Sequence, residues 1–67
     1  MNAEKIQELE NRLEKALESM DVPEHRKNIK TIHNYKWLHK NLRTKNSENE
    51  KYSEAMGILE MLIVIKK

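Results

Sequence analysis

The apolar residues of this chain recur three or four positions apart in three separate stretches. That spacing gathers them on one side of an α-helix and does not fit the alternation of a half-buried strand. In the first stretch Ile6, Leu9, Leu13, Ala16 and Met20 form a heptad-like seam, widened by Leu17. Only about two heptads are present, where a coiled coil needs three or four, so a bundle or short hairpin helix is expected over residues 2–20. Asn2 is a suitable N-cap, and Glu4 complements the dipole in the first turn. Asp21-Val22-Pro23 ends this helix, because proline has no N–H to continue it and holds Val22 extended.

Residues 21–30 read as a connector holding one helical turn, Glu24–Lys27, with Asn28 or Thr31 placed to cap the next helix. That second long helix is expected over 32–43. Its apolar stripe is Ile32, Tyr35, Leu38 and Leu42, with His39 inside it. Thr44-Lys45-Asn46 breaks the pattern, and Asn46 suits a left-handed C-cap. Ser47 followed by Glu50 has the form of a capping box, which opens a third helix over 48–65. This last helix carries two apolar faces. Tyr52, Ala55, Met56, Leu59, Leu62 and Ile63 form the first, which should meet the other helices. Ile58, Met61 and Ile65 form the second, which is expected to meet another subunit. Gly57 costs roughly 1 kcal/mol in a helix interior relative to alanine, so a close helix approach is expected there.

Chain length makes association the natural route to stability. A domain of 67 residues buries only about 60% of its unfolded surface. The hydrophobic fraction is 37%, there is no phenylalanine to fill a core, and there is no cysteine to staple one. The expectation is an all-α single domain over residues 1–67, a three-helix hairpin or bundle completed by homo-oligomerisation. No basic leader precedes an apolar segment, and the longest apolar run is far short of the ~20 residues of a membrane span, so a soluble, intracellular protein is expected.

The net charge of +2 hides a strong asymmetry. Residues 1–21 are acidic and 47–67 weakly so, while 22–46 set Arg26, Lys27, Lys30, Lys36, Lys40, Arg43 and Lys45 against Glu24 alone. Arg26, His33, Lys36, Trp37, Lys40 and Arg43 are therefore the candidate residues for an anionic ligand. The cations would neutralise phosphate, and the indole would stack on a base. Two structural alternatives stand beside this one. Glu10, Glu14 and Glu18 repeat every four residues and match the spacing of Lys36, Lys40 and Arg43, so the rows could neutralise each other. Trp37, the sole tryptophan, could also be a core residue. A nucleic-acid-binding regulator using this face is the competing functional class. His25, His33 and His39 have no metal-ligand spacing, the serines have no triad, and no glycine-rich phosphate loop exists, so neither metal, cofactor nor catalysis is expected.

Pro23 through Arg26, then Asn34-Tyr35-Lys36-Trp37-Leu38-His39-Lys40-Asn41-Leu42, then Asn46-Ser47 and Tyr52, form a recognisable pattern. It resembles short uncharacterised helical proteins of tailed bacteriophages, with a Pro-x-x-Arg turn, an Asn-x-x-Trp-Leu-x-x-Asn-Leu helix and a closing apolar helix. Lys40 stands where that pattern has arginine. The resemblance spans about residues 20–62 and implies a phage accessory protein in the cytoplasm of the infected bacterium. Such a protein would bind and block a host or defence component, or sequester a phosphate-bearing signal. The expected partners are thus a second copy of the chain and a host protein or nucleotide-like ligand.

Overall fold

The computed structural model describes residues 3–45 and 50–66, and within them all regular secondary structure is α-helical. The elements are α1 (Ala3–Glu18), α2 (Glu24–Asn28), α3 (Ile32–Thr44) and α4 (Glu50–Ile65). The three long helices match the periodic stretches, and the connector turn extends to the five-residue α2. The expected caps at Asn2, Asn46 and Ser47 lie outside the described residues.

Chain breaks arise from local chemistry. After α1 the backbone tightens, Met20 N–H donating to the Leu17 carbonyl and Val22 N–H to that of Met20, before Pro23 redirects it. Thr31 opens α3 as an extended N-cap whose Oγ1 accepts the Asn34 N–H at 3.2 Å. This satisfies one of the donors that a helix start leaves free.

α4 is the element on which the others assemble, packing against both α1 and α3, while α1 also touches α2. Leu9, Leu13, Ala16 and Leu17 from α1 meet Ala55, Ile58, Leu59 and Leu62 from α4. Tyr35, Leu38 and Leu42 close the core from α3. Met20 and Val22 seal the end where the chain turns.

Two expectations for α4 change. Ile58 is only 2% exposed and belongs to the core, so it cannot sit in an intermolecular face with Met61 and Ile65. The outer stripe is made by Met61, Val64 and Ile65, exposed at 43, 71 and 41%. The reason is angular: two helices converge on α4, and the wide face they need takes in Ile58 beside Ala55 and Leu62. Gly57 also lacks the expected close neighbour within the chain. A Cβ built there meets nothing within 4 Å. Gly57, Glu60, Met61, Val64 and Ile65 instead line a shallow depression of about 310 Å³ on the outer side of α4. Among the described residues no helix is long and apolar enough to cross a membrane.

Ile58→Ala is expected to lower unfolding free energy by about 2–4 kcal/mol, and Met61→Ala by less than about 1 kcal/mol, in urea titrations. Equal effects would contradict the inward placement of Ile58.

Candidate anion-binding face and cleft

Two polar clusters fix α3 and thereby determine what it presents outward. The first is centred on Asn34, which is 1% exposed. Its Nδ2 donates to the carbonyls of Arg26 and Ile29, both at 2.7 Å, and its Oδ1 accepts from Arg26 Nη1 at 3.1 Å. One buried amide thus satisfies the end of α2 and ties it to α3. Arg26 continues the arrangement, its Cζ lying 4.3 Å from the centroid of the Trp37 ring in cation–π geometry.

The second cluster joins three helices. The Glu10 carboxylate accepts from Tyr35 Oη at 2.7 Å and pairs with Lys66 Nζ at 2.7 Å. Lys66 also donates to the Lys30 carbonyl at 3.0 Å and lies 5.3 Å from the Tyr35 ring centroid. Burial acts to raise the Glu10 pKa, but the bonds from Lys66 and Tyr35, with the charges of Lys66 and Lys30, bring it below the ordinary glutamate value. Burial, together with the bond to Glu10, pushes the Tyr35 hydroxyl well above its usual range and keeps it a donor.

The rows of like spacing on the first and second long helices do not pair. Glu10 turns inward to Tyr35 and Lys66. Among the described residues, Lys36, Lys40 and Arg43 make no ion pair and stand exposed with His33. The cation row is therefore available to an external anion. His39 is half-buried and faces Glu60 of α4, with Nε2 and Oε2 3.3 Å apart. His25 lies exposed on α2.

Trp37 has features of both expectations. It packs partly against the core, yet it also lines an open cleft of about 380 Å³ at the junction of the α1–α2 turn with α3. Val22, Pro23, Leu38 and Leu42 supply the apolar lining with Trp37. Asp21, Asn41 and Lys45 supply the polar groups. The Asn41 Nδ2 donates to the Trp37 carbonyl at 2.7 Å, leaving Oδ1 without a partner among the described residues. Lys45 Nζ reaches the Asp21 carbonyl at 3.4 Å, and the Asp21 carboxylate has no partner among the described residues.

The structure thus brings Arg26 and Trp37 together and aligns His33, Lys36, Trp37 and Lys40 along one side of α3, with Arg43 at its edge. Arg26 is engaged by Asn34 and Trp37, so it acts as a buttress of the indole. Asn34 and the cleft were absent from the candidate residues. An asparagine three positions after a threonine cap is a faint signal, and the cleft depends on a tertiary junction. No protein-family model, curated protein or solved structure matches this chain.

Removal of the Lys66 amine would leave Glu10 buried against Tyr35 alone. Lys66→Ala should therefore destabilise by about 1–3 kcal/mol. Because the folded Glu10 pKa is depressed, its contribution is present above the unfolded glutamate value and lost as pH falls through the folded one. Wild-type stability should decline on acidification below about pH 4–5, and Lys66→Ala should flatten that decline. Unfolding curves between pH 2 and 7 measure both.

Proposed function

We propose that this chain is a non-enzymatic binding protein that captures a phosphate-bearing partner on the basic side of α3. The observation that carries the reading is the exposed row of His33, Lys36, Lys40 and Arg43, which finds no ion partner among the described residues. Exposed cations that the fold leaves unneutralised are the electrostatic requirement for an anionic partner. Trp37 stands in the same row, held from behind by Arg26. The small cleft beside it favours a compact ligand over an extended one.

The resemblance to short phage proteins supplies the setting: an accessory protein in the cytoplasm of an infected bacterium that blocks a host or defence component, here by sequestering a phosphate-bearing signal. The assembly is proposed to be a homo-oligomer joined through the outer face of α4, where Met61, Val64 and Ile65 are exposed around the open surface of Gly57. Small-residue positions of this kind allow two helices to approach closely.

A second reading, a small nucleic-acid-binding regulator, is favoured by the spacing of Lys36, Lys40 and Arg43 along one helix edge. Salt separates the two. Binding to nucleic acid should weaken steeply between low and physiological salt, in proportion to the phosphates neutralised.

Native mass spectrometry of protein purified from bacteria should find an oligomer carrying a nucleotide-sized mass. Lys36→Glu combined with Lys40→Glu should abolish that retained mass while the helical circular dichroism is unchanged, since both side chains are exposed. An unchanged adduct would refute the α3 site. Met61→Asp combined with Ile65→Asp should reduce the subunit count with the core intact. An unchanged mass in solution would refute the α4 interface.

A further inference from the structure

We infer that the cleft beside Trp37 is a nucleobase subsite and that the ligand's base is a purine of the guanine type. The inference rests on the phosphate-binding reading of α3 and extends it from the charge of the ligand to its ring.

At about 380 Å³ the cleft falls within the ~300–1,000 Å³ range of small-molecule sites, near its lower end. That suits one heterocycle and its sugar better than a peptide or a lipid chain. Its chemistry is divided. Trp37, Pro23 and Leu42 offer apolar surface, while Asp21, Asn41 and Lys45 offer polar groups. A flat ring with apolar faces and a polar edge matches this division. An aliphatic ligand would leave the polar groups without partners.

The polar groups then select among rings. The Asn41 amide is oriented by its bond to the Trp37 carbonyl, so Oδ1 is the atom left to accept. The Asp21 carboxylate, also unpartnered among the described residues, adds two further acceptor oxygens. Lys45 supplies a cation whose contact with the Asp21 carbonyl is long, at 3.4 Å, and readily exchanged. This is an acceptor-rich edge with one donor. The guanine edge is its complement, with adjacent ring N–H and exocyclic NH₂ donors beside the O6 acceptor. Adenine presents an amino donor but no ring N–H there, and so satisfies fewer of these groups.

Preorganisation supports the assignment. Arg26 holds one side of the indole and is itself fixed by Asn34 Oδ1, so Trp37 does not have to be ordered by the ligand. Lys40 lies one helical turn beyond Trp37, on the same side, where the phosphate of a bound nucleotide would meet the cation row.

The test is calorimetric titration of the full chain with guanosine monophosphate, adenosine monophosphate and ribose 5-phosphate, with Trp37 fluorescence as the positional readout. Guanosine monophosphate should bind at least about tenfold more tightly than ribose 5-phosphate and quench Trp37, the low end of what stacking one base contributes. Asp21→Asn, at an exposed side chain, should erase the guanine-over-adenine preference while leaving ribose 5-phosphate binding unchanged. Equal binding of all three probes, abolished by Lys36→Glu with Lys40→Glu, would overturn the base subsite and keep the phosphate reading. Guanosine monophosphate binding that ignores the two lysines but falls in Asp21→Asn would support the cleft and overturn the phosphate row. No binding of any probe would overturn both.

Discussion

The buried carboxylate of Glu10 is the constraint around which the helices close. A charge 7% exposed in a domain this small is tolerable only if its partners are supplied by the fold. Tyr35 and Lys66 supply them, from α3 and from the residue just after α4. Lys66 in turn reaches the Lys30 carbonyl, so the end of the last helix is fastened to both α1 and the connector that leads into α3. Apolar packing alone favours burial without selecting a unique rotation of each helix. The Glu10–Tyr35–Lys66 cluster supplies the direction that packing lacks.

The rotation of α3 has a direct consequence at the surface. With Tyr35 directed to Glu10 and Asn34 to the end of α2, the positions between them in angle go to the core. His33, Lys36 and Lys40 are left outside. Trp37 falls at the boundary, backed by Arg26 and open to the cleft. The cation row and the cleft are thus products of the same two polar anchors, which is why a candidate binding face can exist in a protein with so few aromatic residues. Stability and display are separated in space. The core is formed chiefly by leucines, and the polar anchors set which side chains remain available.

α4 has a different balance. Its inner half is covered from two sides, and Ile58 is drawn inward by that double coverage. Its outer half keeps Met61, Val64 and Ile65 in water around a glycine whose position is open. An apolar stripe beside a glycine has the form of a helix-packing surface, and in the proposed oligomer this stripe is what the second copy covers. The same helix would then organise the core within the chain and the contact between chains.

The sequence alone determined the helical class, the three long helices and the stop at Pro23, because these depend on local periodicity and on proline's missing donor. It also narrowed the α3 cap to Asn28 or Thr31 and determined the uneven charge. Most of the core was legible too, since Leu9, Leu13, Leu38, Leu42 and Leu59 lie on unambiguous stripes. Tertiary structure decided the partner of Glu10. Glu10 was legible as a residue wanting a cation, but Lys66 lies far away in the chain and no local spacing relates them. It decided that Ile58 is inside, because the width of a buried face depends on how many helices converge on it. It also assigned Asn34 its role, which requires the end of α2 to lie against α3, and opened the cleft beside Trp37, which requires the α1–α2 turn to fold back over α3. Periodicity is a property of one segment, whereas pairing, burial width and clefts arise only when segments meet.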